Sequence, residues 1–130
     1  MVNYIVSDFI AKLNIAKRNK LKTIIINPTR MILELLNSFE KLGIIRGYII
    51  NDENKIEVML RYHRSKCVFN HLYVVSKPSR RIYVSLLKLH KYKEKYSSDI
   101  LLLLTSKGIM FDHDCLKNKL GGQILLRISL

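Results

Sequence analysis

Between Arg61 and Lys95 the chain carries ten Lys and Arg residues, at positions 61, 64, 66, 77, 80, 81, 88, 91, 93 and 95, against one acid, Glu94. Nine excess positive charges in 35 residues cannot all be buried, because an unpaired ion withdrawn from water costs several kcal/mol. The segment must lie at the surface of whatever the rest of the chain builds, and it repels itself unless a polyanion or counterions stand near. The whole chain leans the same way, with 23 basic and 10 acidic side chains in 130 residues, a net charge of +13. Residues 1–65 hold 11 basic and 6 acidic groups and residues 66–130 hold 12 and 4, so the excess is +5 and then +8. Tyr62, Tyr73, Tyr83, Tyr92 and Tyr96 interleave with the cations, as on nucleic-acid-binding surfaces. An anionic membrane surface is the competing partner, and it would call for a basic amphipathic helix.

Apolar residues make up 48% of the chain, enough for a core and too many for a disordered polymer. The length fits one domain or two small halves. The longest run free of Asp, Glu, Lys and Arg is Cys67 to Ser76, about half of what a membrane-spanning helix needs. Two cysteines, Cys67 and Cys115, form no CxxC pair; they read as small buried thiols in a reducing compartment rather than as a disulfide or zinc ligands. The opening Met1-Val2-Asn3-Tyr4 reads as neither a signal peptide nor an Arg- and Ser-rich transit peptide.

Hydrophobic spacing predicts the elements. Val6, Phe9, Ile10, Leu13 and Ala16 recur at helical spacing over residues 4–18, with Asn3 or Ser7 as cap. Leu21 to Ile26 is β-rich. Asn27 as N-cap and Pro28 at the first helical position open a second helix, striped by Ile32, Leu35, Leu36, Phe39 and Leu42 and ended by Gly43. Ile44 to Ile50 and Ile56 to Tyr62 form a hairpin around the turn at Asn51-Asp52-Glu53-Asn54. The second half is expected to run strand 70–75, loop 76–79, short strand 81–84, basic helix 85–95, fully apolar strand 99–104 and polar loop 105–108. A helix capped by Asp112 and ended by Gly121, then a last strand from Gln123, complete it. The fold class is therefore α+β, in two small packed halves: residues 1–66, read as α-β-α-β-β, and residues 67–130, mostly β with short helices.

No constellation for catalysis emerges. His63, His71, His90 and His113 form no HExxH pair and none sits at ligand spacing to a cysteine, so no metal is expected. GxSxG is absent, Thr105-Ser106-Lys107-Gly108 lacks the glycine and order of a phosphate-hydrolysing loop, and the acids are scattered. What remains is hydroxyl, cation and glycine residues at strand ends. Thr105 and Ser106 can donate and accept, Lys107 can meet a phosphate, and Gly108 lets a backbone come close; the same four residues also make an ordinary β-turn. In the stretch from Lys77 through Ser79, Arg80 and Arg81 to Tyr83, the two arginines point to opposite faces, and Tyr83 either stacks on a sugar or base or joins the core, the core being favoured for its ring. Gly121 and Gly122 read as a helix stop with a close backbone approach.

These stretches, in this order, resemble the family of small-subunit ribosomal protein eight. Val75-Ser76-Lys77-Pro78-Ser79-Arg80-Arg81-Ile82-Tyr83 is similar to that family's V-S-[KR]-P-G-x-R-[IV]-Y, Leu104-Thr105-Ser106-Lys107-Gly108-Ile109-Met110 to its S-T-S-x-G-[IV]-M signature, and Leu120-Gly121-Gly122-Gln123-Ile124-Leu125 to its G-x-G-G-E end. Ser7-Asp8-Phe9-Ile10-Ala11-Lys12-Leu13 resembles the opening A-D-x-L-T-R-I helix. Departures are Leu104 for the first Ser of S-T-S, Ala11 and Lys12 for Thr and Arg, Ile15 for Asn, Ser79 for Gly and Gln123 for Glu.

The resemblance implies two compact α+β halves and a C-terminal half that grips an irregular helical segment in the central domain of small-subunit ribosomal RNA. The N-terminal half would support neighbouring RNA and proteins. The implied contact residues are Thr105, Ser106, Lys107 and Gly108, with Lys77, Ser79, Arg80, Arg81, Tyr83, Gly121 and Gly122 nearby. The expected role is structural and non-enzymatic. Its partners are the RNA and neighbouring small-subunit proteins, with no cofactor, membrane or small-molecule substrate. A basic RNA-processing or RNA-modifying protein outside the ribosome is the alternative. Seventeen Ile, 15 Lys and 9 Asn, all with AT-rich codons, favour an organelle-encoded, mitochondrial ribosome over a bacterial or plastid one.

Overall fold

The computed structural model describes residues 2–76 and 80–130, and the chain divides into two compact units, residues 4–70 and residues 71–130. Helices and strands share both, which makes the fold α+β.

In the first unit, α1 (Val2–Arg18) buries the stripe Val6, Phe9, Ile10, Leu13 and Ala16 that its spacing predicts. The helix already runs at Asn3 and Ser7, so neither caps it. After β1 (Thr23–Ile26), α2 (Arg30–Leu42) starts three residues later than Asn27. Pro28 pushes the residue before it toward extended backbone, and the cap passes to Thr29, whose hydroxyl accepts the Ile32 N–H at 3.2 Å. Gly43 ends α2 at φ +79, the left-handed conformation expected of it. The rings of Phe9 and Phe39 stack at 6.1 Å between the two helices. β2 (Ile45–Ile50) and β3 (Ile56–Leu60) join β1 in an antiparallel sheet of order β1-β3-β2. The Asn51 carboxamide oxygen accepts the N–H groups of Glu53 and Lys55, both at 3.0 Å, and so fixes the turn between β2 and β3. The hairpin strand ends at Leu60 rather than Tyr62. Tyr62 instead opens a small ribbon, β4 (Tyr62–His63) with β5 (Lys66–Cys67), turned by Arg64 and Ser65 at φ +51 and +67.

The second unit is built around one long strand. β6 (His71–Val74), β7 (Tyr83–Val84), α3 (Leu86–Lys95), β8 (Ile100–Thr105), β9 (Gly108–Phe111) and α4 (Asp112–Lys117) precede β10 (Gly122–Ser129). One edge of β10 pairs with β7 at Gly122–Gln123 and with β6 at Leu126–Ser129, while the other edge pairs with β8, which pairs in turn with β9. Val84, Leu89, Leu101, Leu103, Cys115 and Ile124 form a buried core that ties α3 and α4 to the sheet.

Three details differ from what the sequence suggests. β9 is a strand in place of a loop leading to a helix. Only Ser106 and Lys107 separate it from β8, without the Asn-Gly signature that marks such hairpins, and Gly108 carries the turn at φ +100. α4 ends at Lys117, not at Gly121. Lys119 takes the left-handed conformation at φ +57, and the Leu120 N–H reaches back to the Cys115 carbonyl at 2.8 Å. Asp112 occupies the first helical position instead of the cap. Its buried carboxylate accepts the His113 N–H at 2.8 Å and pairs with Lys93 at 2.7 Å.

The glycines after α4 keep the other part of their expected role. A Cβ at Gly121 would lie 2.4 Å from the Val84 carbonyl oxygen, and one at Gly122 would lie 2.5 Å from that of Leu104. Both neighbours are backbone and cannot rotate away, so Gly121→Ala or Gly122→Ala should cost about 1–3 kcal/mol, the usual overpacking penalty. Gly47→Ala should cost far less, since its Cβ would meet the Met59 methyl at 3.6 Å, an ordinary contact. Chemical denaturation of the three variants checks the ranking; equal midpoints would contradict it.

Burial, then the carboxylates of Asp112 and Asp114, push the Cys115 thiol up to about 11 from its ordinary 9.0. The folded state therefore holds a proton that the unfolded state releases first. That contribution to stability is full below pH 9 and is lost as pH rises toward about 11. The melting temperature of the wild type should fall more steeply over this window than that of Cys115→Ala; parallel curves would contradict the assignment.

Candidate nucleic-acid interface

Gly122 stands opposite Val84 of β7, the next residue, Gln123, stands opposite Leu104 of β8, and Thr105 stands opposite Gly108 of β9. Three sequence blocks, 80–84, 105–108 and 121–122, thus end side by side at one end of a single sheet, with adjacent strands about 4.8 Å apart. The two glycines lie between them, against Val84 and Ser85 on one side and Leu104 and Thr105 on the other.

Each block is fixed from within. Thr105 is 9% exposed, and its hydroxyl faces inward along its own turn: it accepts the Lys107 N–H at 3.1 Å and donates to the Gly108 carbonyl at 2.9 Å. It shapes the hairpin, while Ser106 and the Lys107 side chain stand exposed at its tip. The sequence suggests both hydroxyls as open to contact, but the Thr105 hydroxyl is committed to the turn.

Ser76 holds the second block. It is 2% exposed; its hydroxyl donates to the Ile124 carbonyl at 2.5 Å and accepts the Ile82 N–H at 3.0 Å. The Ile124 N–H in turn donates to the Ile82 carbonyl at 3.0 Å. The chain entering β7 is stapled there to the middle of β10, beside the irregularity between Ile124 and Leu126. The sequence pattern does not mark Ser76 as a site residue. Its signal is a lone hydroxyl closing an apolar run.

With that anchor, Arg80, Arg81 and Tyr83 are all exposed. Tyr83 is 62% exposed, so its ring does not join the core that was favoured for it: Val84 takes the inward position on β7, and Tyr83 faces out opposite Gln123. Lys77 and Ser79, with Pro78 between them, lie outside the described residues.

The unit's buried acids are engaged elsewhere. Asp99 pairs with Arg127 at 2.5 Å, and that guanidinium is sandwiched between the rings of Tyr73 and Tyr96 at 4.0 and 4.2 Å. Asp112 pairs with Lys93, which also donates to the Asp99 carbonyl. Among the described residues no carboxylate pairs with Arg80, Arg81 or Lys107. The sheet end is therefore cationic with its charges uncompensated. Among the described residues no group of three or more His, Cys, Asp or Glu side chains is placed to hold a metal ion, and both cysteines are free thiols.

Comparison with known proteins follows the same lines. The sequence pattern described as "Ribosomal protein S8" matches residues 4–129. The small ribosomal subunit protein uS8m of Acanthamoeba castellanii is 34% identical over 125 residues, covering 96% of this chain and 98% of that protein. The uS8 proteins of Campylobacter lari and Brucella anthropi are 31% and 30% identical, over 98% and 95% of this chain and 99% and 95% of theirs. A likeness that spans both units and includes the three converging blocks leaves one conclusion: the chain belongs to the ribosomal protein S8 family.

Proposed function

We propose that this protein is a structural, non-enzymatic component of the small subunit of a mitochondrial ribosome, where its second unit binds the central domain of the small-subunit RNA. One observation carries the reading: segments far apart in sequence converge at one sheet end whose exposed cations have no carboxylate partners among the described residues. Arg80, Arg81 and Lys107 neutralise phosphates and release counterions, which supplies affinity. Ser106, the backbone around Gly108 and the exposed Tyr83 ring present hydrogen-bonding groups and a stacking surface to the shallow groove and splayed bases of an irregular helix. Specificity then comes from matching a preformed shape. Gly121 and Gly122 serve the same surface by bringing backbones together, and the family resemblance adds Lys77 and Ser79 as RNA contacts. Neighbouring small-subunit proteins are the other partners. The mitochondrial setting is supported by the similarity to a uS8m protein and by the Ile-, Lys- and Asn-rich composition.

Contact with about six phosphates should give a slope of roughly −5 when log affinity is plotted against log salt. Filter binding to a transcript of the central domain measures it; a slope near zero would overturn the electrostatic account. Thr105→Ala should weaken binding to that transcript about fivefold to tenfold, the worth of one or two net hydrogen bonds, and should spare binding to unrelated RNA. Thr105→Ser, which restores the hydroxyl, should recover most of the loss. Equal weakening for both RNAs, or no rescue by Ser, would contradict the role given to that hydroxyl.

A further inference from the structure

Helix α3 distributes its lysines in an unusual way. α1 and α2 offset exposed cations with acids one turn away, Lys12 with Asp8 and Arg30 with Glu34, both at 3.6 Å. On α3 the lysine that finds carboxylate is the half-buried one, Lys93, through Asp112 at 2.7 Å. Lys88, Lys91 and Lys95 are all exposed, and among the described residues none has a carboxylate partner. At 3.6 residues per turn these three lie within about 60° of one another, at spacings of three and four residues, where like charges repel. Leu89, the buried residue of this helix, faces away from them. A stripe of this kind raises the energy of the free protein and is relieved by a polyanion laid along it.

The stripe starts at the interface already described. Ser85 caps α3, accepting the Lys88 N–H at 3.4 Å, and its Cα is one of the three atoms that a Cβ on Gly121 would strike, at 3.0 Å. The helix therefore begins where β7 and β10 meet and carries its lysines onward from there.

We propose that Lys88, Lys91 and Lys95 form a phosphate-binding rail, along which the RNA held at the sheet end continues over α3. This inference rests on the RNA-binding reading above and adds residues that neither the sequence motifs nor the sheet end contain. The rail contributes affinity without sequence preference, because lysine ammonium groups meet phosphates as point charges.

The test uses the full chain, wild type and K88Q/K91Q/K95Q, with the central-domain transcript over a range of KCl concentrations. Each neutralised phosphate contributes roughly 0.7–0.9 to the salt slope, so the triple variant should show a slope shallower by about two to three units. Its affinity for specific and unrelated RNA should fall by similar factors, at least tenfold at low salt, while its thermal melt stays level or rises slightly as the repulsion is removed. An unchanged slope with wild-type binding intact would overturn the rail and leave the sheet-end reading standing. Failure of the wild type to prefer the transcript over unrelated RNA would remove that reading, and the rail with it. Binding to phosphatidylserine vesicles that the triple variant loses, while its RNA slope stays unchanged, would assign the lysines to a lipid surface and likewise overturn the rail.

Discussion

The organisation of the second unit depends on how near three backbones come to one another at Gly121 and Gly122. Val84 and Ser85 crowd the first glycine and Leu104 and Thr105 the second, leaving no room for a side chain at either position. That proximity lets β10 pair with β7 on one edge and β8 on the other at the same level. The Ser76 hydroxyl then fixes the chain entering β7, and the Thr105 hydroxyl fixes the turn leaving β8. The exposed groups at 80–83 and 106–107 thus lie within a few residues of a hydrogen bond to the sheet, an arrangement that suits a preorganised binding site.

Charge is partitioned by the same framework. Two cations, Lys93 and Arg127, are held against buried acids and serve the fold, Arg127 also lying over the rings of Tyr73 and Tyr96. Among the described residues, Arg80 and Arg81 at the sheet end and Lys88, Lys91 and Lys95 along α3 are exposed. The total charge favours a polyanionic partner, and the pairing pattern separates the cations held by carboxylates from those that are not, among the described residues.

Much of this was legible in the residues. The apolar stripes of α1 and α2, the Gly43 stop and the fully apolar run of β8 follow from spacing alone, because burial on one face or on two leaves a periodic trace. Elements whose cause is a single hydrogen bond were not legible. Thr29 displaces Asn27 as a cap, and Lys119 displaces Gly121 as a helix stop, since a left-handed residue is favoured but not required to be glycine. β9 escaped notice because its turn lacks a two-residue signature. The outward Tyr83 and the inward Thr105 hydroxyl could not be assigned from composition: a tyrosine ring is at home in a core or on a groove, and a threonine hydroxyl serves a turn or a ligand equally well. Ser76 shows the same limit, as a short polar residue whose importance lies in what reaches it from distant parts of the chain.

The central claim is that residues 80–84, 105–108 and 121–122 act as one preformed surface for RNA. Amide hydrogen exchange of the full chain, with and without the central-domain transcript, addresses it directly. The account predicts that the three segments gain protection together, at the same RNA concentration, while α1 and α2 exchange unchanged. Protection confined to the first unit, or appearing in one of the three segments without the others, would contradict it.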